Sequence, residues 1–295
     1  MRRHNGWKRL ILTGMIAVLM ISLMAGCSTD QSNKPAEGKG TVNIGYVNWA
    51  ECIAASNLWK VILEDQNYTV NLTQLDVAPL FVGLNKGDID VFMDAWLPIT
   101  HQTYWNEYKD TLEDYGIWYQ EPAKIGIVVP KYVTLDSIAQ LKENGDKFEK
   151  KIIGIDAGAG IMKAAAAANK KYALGFDVVQ GSEPAMMAAL DNAYAKNEWI
   201  AVTGWSPHWM FAKYSLKYLD DPEKEFGEAE EIHIVANNQF SGKQPDVAAM
   251  LKKFKMTDAQ IGTLEDFINN GMQPSEAAKK WIAENKDTVD EWIKE

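Results

Sequence analysis

Cysteine is scarce in this 295-residue chain, which has only Cys27 and Cys52. A disulfide framework is therefore excluded, and no CxxC pair or Cys/His cluster offers a zinc site. Also missing are a G-x-S-x-G elbow, an H-E-x-x-H helix and a glycine-rich dinucleotide fingerprint. Their absence removes the common serine-hydrolase, metalloprotease and dehydrogenase signatures, and no metal or cofactor is expected. Positive charge is short as well: 30 Lys and Arg face 40 Asp and Glu, a formal net charge of −10. Such a field does not favour nucleic acid or anionic lipid as a partner.

Long apolar runs are also few. The main one, Leu10 to Gly26, follows the basic residues Arg2, Arg3, Lys8 and Arg9 and leads to Met24-Ala25-Gly26-Cys27. This is the pattern of a secretory signal over residues 1–26, and the run is shorter than the ~20 residues that a membrane span needs. The Ala-Gly-Cys ending resembles a bacterial lipobox, with Met24 where leucine is usual, which makes Cys27 the expected lipidation residue. Removing four positive charges and no acid would take the net charge from −10 to −14. Cys52 is then left without a disulfide partner. Residues 27–40, polar with Pro and Gly, read as a lipidated flexible tether.

Tryptophan is abundant, at 11 residues. An indole needs a partner for its N–H, so this richness fits a recognition surface, although each tryptophan alone fits core packing equally well. From Thr41 on, short apolar strands alternate with amphipathic helices. Strands are expected at 41–47, 68–75, 89–93, 125–129, 151–155, 177–179, 199–203 and 232–236. Helices are expected at 53–64, 79–85, 135–142, 161–171 and 183–196, and the tail from Asp246 reads as helix after helix. Alternating βα units predict an α/β fold with mostly parallel sheets. There are two such series and a helical return. The expected organisation is residues 41–128 plus 236–295 as lobe 1 and 129–235 as lobe 2, with a ligand in the interlobe cleft.

Three tryptophans stand at the ends of expected strands: Trp49, Trp96 and Trp205. Strand ends are where open α/β sheets bind ligands. A quaternary ammonium has no N–H to donate, but its charge can rest against several ring faces. At about 0.5–2 kcal/mol per ring, three rings supply roughly 2–6 kcal/mol. A micromolar complex needs about 8 kcal/mol, so a second anchor is required. Gly154-Ile155-Asp156-Ala157-Gly158-Ala159-Gly160-Ile161 runs from a strand into a helix, which suits either an anion or a simple tight turn. His101 fits either a donor to a carboxylate or a helix-start residue. Glu51, Asp94 and Asp156, at strand ends, would be the carboxylates of an enzyme, or caps and turn formers.

The strings YVNWAE (46–51), DAWLPITH (94–101), GIDAGAGIM (154–162) and TGWSPHWMF (203–211) resemble those of the glycine-betaine-binding proteins of ABC importers, the OpuAC/ProX type. The resemblance covers Thr41 to Glu295. It implies a two-lobed periplasmic-binding-protein fold of type II and a cage of Trp49, Trp96 and Trp205 around a trimethylammonium group. The ligand's carboxylate would meet His101 and the backbone N–H groups of Gly160 and Ile161. Trp49, Trp96 and His101 would come from one lobe, and Gly160, Ile161 and Trp205 from the other. Some members carry these motifs in permuted order. The partners implied are a small quaternary ammonium ligand, an ABC permease with its ATPase, and the extracellular face of the cell membrane through the lipid anchor. Glycine betaine is the expected ligand, with proline betaine beside it. Choline or carnitine is the alternative, and a surface lipoprotein enzyme is the rival from another class.

Overall fold

The computed structural model describes residues Gly38 to Lys294. The expected signal and Cys27 lie outside these residues. The last residues of the expected tether already join the fold: Lys39 N–H donates to Asn67 O at 3.0 Å, and Gly40 O accepts from Thr69 N–H at 2.9 Å.

The fold is α/β and two-lobed, with a five-stranded sheet in each lobe. In the first sheet β1 (Thr41–Tyr46) lies parallel to β2 (Thr69–Gln74) and β3 (Val91–Leu97). β10 (Glu231–Asn237) is antiparallel between β3 and β4 (Leu112–Ile117). In the second sheet β6 (Lys151–Ile153) is parallel to β7 (Asp177–Val179) and β8 (Val202–Ser206). β5 (Lys124–Pro130) is antiparallel between β8 and β9 (Leu216–Tyr218). The two orders, β2-β1-β3-β10-β4 and β7-β6-β8-β5-β9, correspond strand for strand. In each lobe the strand arriving from the other lobe lies beside the strand that bears a candidate cage tryptophan.

The expected lobe boundaries at 128/129 and 235/236 are therefore corrected. β5 belongs to the second sheet from Lys124, and β10 to the first from Glu231. Apolar periodicity marks a strand but not the sheet in which it pairs, so both crossings were expected too late. They lie side by side, where Ala123 and Glu230 exchange backbone hydrogen bonds of 2.9 and 2.8 Å.

The first lobe carries α1 (Ala50–Asp65), α2 (Val77–Lys86) and α3 (Gln102–Tyr108); the second carries α4 (Gly160–Lys171) and α5 (Glu183–Lys196). Two single-turn helices follow, α6 (Met210–Lys213) and α7 (Phe240–Lys243). α8 (Pro245–Lys253), α9 (Asp258–Asn269), α10 (Pro274–Glu284) and α11 (Lys286–Ile293) form the tail. α9 and α10 pack on α1, which returns the chain to the first lobe as expected. Local chemistry sets several starts. Ser182 caps α5 with Pro184 in its first turn, and Thr257 and Gln260 form a capping box on α9. The stretch Ile138–Phe148 forms 3₁₀ turns and not the expected α-helix. Gly145 lies within it, and glycine is among the poorest helix formers.

Core packing accounts for several tryptophans. Trp59, Trp118, Trp281 and Trp292 are buried together with Phe254. Trp118 stacks on Phe254 at 5.2 Å and Trp281 on Trp292 at 5.9 Å. Trp118 and Trp281 satisfy their N–H groups with the backbone carbonyls of Met93 and Gln260.

Candidate ligand-binding site

β3, VFMDAWL, is buried at every position, as a central strand covered on both faces should be. Trp96 sits inside β3, and Trp205 inside β8, where it pairs with Ile125 of β5. Both had been expected just past a strand end. Asp94 and Gly204 read as breaks in an apolar run, but the neighbouring strands continue the ladder past them. Trp49 does follow its strand, at the N-cap of α1. β3 and β8 each end in Trp-X-Pro with a cis prolyl bond: Leu97-Pro98 and Ser206-Pro207.

Trp49, Trp96, His101, Gly160, Ile161 and Trp205 line one cavity with about 290 Å³ of empty space. Five further residues line it, Glu51, Thr100, Ile125, Ile155 and Ala159, none of them among the expected ligand contacts. Its lining comes from both lobes. Gly160 marks the contact between them: a Cβ there would stand 2.2 Å from Thr100 O. Only glycine allows the backbones to approach this closely.

Each cavity indole is anchored by a carboxylate. Trp49 Nε1–H donates to Asp156 Oδ2 at 3.0 Å, Trp96 to Asp94 Oδ1 at 2.9 Å, and Trp205 to Glu51 Oε2 at 2.8 Å. The core tryptophans Trp118 and Trp281 use backbone carbonyls instead, so the partner separates the two groups. Burial pushes the Glu51 carboxyl well above the usual carboxylate range, helped by the nearby charges of Asp94, Glu265 and Glu183. Burial raises Asp94 in the same way, against the hydrogen bond from Trp96. Each acid turns an oxygen toward an indole N–H and so fixes the rings, whose electron-rich faces line a cavity that favours a cation.

His101 supplies the opposite chemistry. It is fully buried, and its Nδ1 accepts the backbone N–H of Trp96 at 2.9 Å. Burial, assisted by the charge of Lys163, pushes its pKa down to about 3. The ring is therefore neutral at pH 7, and with Nδ1 as acceptor the proton sits on Nε2. That N–H has no partner among the described residues. The first-turn N–H groups of α4, at Gly160 and Ile161, have no acceptor within their helix either. One cavity thus joins three ring faces to N–H donors that can serve an anion.

Other motif residues lie around it. His208 donates from Nε2 to Glu183 at 3.1 Å and accepts Met210 N–H at Nδ1, in line with a structural role. Trp209 and Phe211 line a separate groove with Pro207 and α9. Cys52 is buried, and its Sγ accepts Val47 N–H at 3.4 Å. Ile99 is exposed. Glu230, at the crossing, accepts the N–H groups of Ile99 and Thr100 at 2.8 and 2.7 Å, which fixes the segment leading to His101.

Fold and cavity define a two-lobed solute-binding protein of the importer type. The family model for the substrate binding domain of ABC-type glycine betaine transport systems matches residues 40–284, and the chain belongs to that family. Lactococcal OpuAC, solved closed with glycine betaine, is 35% identical with a TM-score of 0.82, over 86% of this chain and 100% of that one. A glycine betaine/L-proline-binding protein (ProX) of Borrelia burgdorferi is 35% identical with a TM-score of 0.83, over 86% and 97%. A glycine betaine/carnitine transport binding protein of Listeria monocytogenes is 42% identical over 154 residues, a match spanning 51% of each chain. The aligned segment thus reaches about half the length of that curated relative. Among the described residues no helix is long and apolar enough to cross a membrane.

Proposed function

We propose that this chain is the ligand receptor of an osmoprotectant importer and that it binds glycine betaine between its lobes. Trp49, Trp96 and Trp205 hold the trimethylammonium group. The Nε2–H of His101 and the N–H groups of Gly160 and Ile161 hold the carboxylate. The observation that carries this reading is the unpartnered His101 donor in the same cavity as three carboxylate-anchored indoles: the cavity matches a zwitterion and not a simple cation.

The ligand is released unchanged, with no bond made or broken. Because each lobe supplies part of the site, a bound ligand favours the closed form, and the closed form is what a permease and its ATPase would recognise. Cys27 would carry the lipid that holds the receptor at the extracellular face of the cell membrane. Proline betaine presents the same two charges. Carnitine, which the name of the Listeria relative includes, does so at a greater separation.

Calorimetry of the full chain in detergent tests this reading. Saturable one-to-one heat with glycine betaine, with a change in tryptophan fluorescence, is expected. No heat and no fluorescence change at millimolar ligand would contradict it.

A further inference from the structure

Two of the three indole–carboxylate bonds cross the cleft, and they do so in opposite directions. Trp49 of the first lobe donates to Asp156 of the second at 3.0 Å. Trp205 of the second lobe donates to Glu51 of the first at 2.8 Å. The third pair, Trp96 with Asp94, stays within β3. Glu51 and Trp205 are buried, and Asp156 is half-buried.

We propose that Glu51 and Asp156 are specificity-determining positioning residues. Each receives the indole of a cage tryptophan from the opposite lobe, so that Trp49 and Trp205 serve at once as cage walls and as latches. This inference rests on the betaine reading of the cavity.

A ring face needs only an aromatic side chain, whereas a latch needs an indole N–H. Phenylalanine has a face but no donor, and a tyrosine hydroxyl would stand at a different place. The latches also set the width of the closed cleft, because both form only at one separation of the lobes. A short zwitterion lets both close. A longer one, such as carnitine, holds the lobes apart and forfeits part of both bonds. Glu51 and Asp156 therefore discriminate by ligand length while standing behind the rings. Other interlobe contacts frame the pair: Glu183 Oε2 accepts the N–H of Ala50 at 2.9 Å, and Tyr104 donates its hydroxyl to Gly158 O at 2.9 Å. Neither involves a cage side chain, so neither couples ring placement to closure.

The test compares Glu51→Ala and Asp156→Ala with Glu51→Gln and Asp156→Asn, all in the full chain. The amide variants keep an oxygen acceptor at nearly the same place. Stopped-flow tryptophan fluorescence gives off-rates for glycine betaine and carnitine. Hydrogen exchange of the peptides around Trp49–Glu51 and 156–162, without ligand, reports closure. The alanine variants are expected to raise the glycine betaine off-rate about ten-fold or more, as leaving a buried indole N–H without its acceptor should. They should raise the carnitine off-rate less and speed ligand-free exchange at the cleft. The amide variants should restore most of the wild-type off-rate. Alanine variants that match the wild type in off-rate, ligand ratio and exchange would overturn the proposal. So would additive effects in a Trp205→Phe and Glu51→Ala double-mutant cycle. Should Glu51→Ala fail to fold, Asp156→Ala at the cleft edge decides alone. Should the wild type bind no betaine, the functional reading fails, while ligand-free exchange still judges the latches.

Discussion

The backbone N–H of Trp96 donates to Nδ1 of His101 at 2.9 Å. One contact thereby ties the strand that bears Trp96 to the tautomer of His101, the proposed carboxylate donor. Burial holds this imidazole neutral, with a pKa of about 3, against about 6.5 in an unfolded chain. His101 then adds no pH dependence to glycine betaine affinity from pH 5 to pH 8, since it does not titrate there, and the wild type and His101→Gln should show the same profile over that range. A binding isotherm that sharpened on protonation near pH 6 would contradict the neutral donor. His101→Ala should weaken glycine betaine by about ten- to a hundred-fold, from a charge-assisted hydrogen bond of about 1.5–3 kcal/mol. Choline has no carboxylate and should be unaffected.

The same histidine predicts a slope in stability. Its folded pKa lies below its unfolded one, so between about pH 6.5 and 3 the unfolded chain binds a proton that the folded chain does not. Stability is lost as pH falls through that window. His101→Gln should flatten that part of a urea-unfolding profile, and an unchanged slope would assign it to other groups.

His233 acts with the opposite sign. Burial disfavours its charge, but the hydrogen bonds and charges of Asp114 and Glu231 outweigh burial and raise its pKa. Asp114 is held below the usual range: burial opposes this, and His233 and the Gly116 N–H prevail. A raised imidazole contributes stability that is complete below its unfolded pKa and lost as pH rises through the folded one. The depressed carboxyl contributes above its unfolded pKa and loses it on acidification. Thermal unfolding from pH 6 upward should show the wild type losing more stability than His233→Gln. Parallel curves would remove the pair from the account.

Gly160 gives a prediction that separates closure from folding. A methyl group at this position would lie 2.2 Å from Thr100 O, on the facing lobe. Gly160 opens a helix, where alanine suits the backbone as well as glycine does. Gly160→Ala should therefore leave the unfolding midpoint nearly unchanged and cost more than a hundred-fold in glycine betaine affinity. Calorimetry and thermal unfolding on one preparation check both. An affinity within a few-fold of wild type would mean that the lobes need not meet here.

The three tryptophans that line the cavity were legible because tryptophan is conspicuous, and because four motifs carried the family resemblance. The two βα series and the helical return were legible from hydrophobic period. Sheet pairing was not: β5 and β10 read as apolar strands whichever sheet they join, and the crossings were misplaced accordingly. β4 was hidden because LEDYGI carries two acids among its first three residues. The carboxylates behind the indoles were visible only as loose candidates at strand ends. Glu51 and Asp156 find their indoles across the cleft, more than a hundred residues away in sequence. Asp94 was the nearest to readable, a charge inside an otherwise apolar strand.

The central claim is that the cavity reads a quaternary ammonium charge through three indole faces. It is tested most directly by comparing glycine betaine with 3,3-dimethylbutanoate in calorimetry. In this isostere carbon replaces the charged nitrogen, while the shape and the carboxylate are kept. Three rings at about 0.5–2 kcal/mol each predict a difference of roughly 2–6 kcal/mol, at least about thirty-fold in affinity. Saturable binding of glycine betaine with little or none of the isostere is the predicted result. Equal affinity for the two would contradict the account.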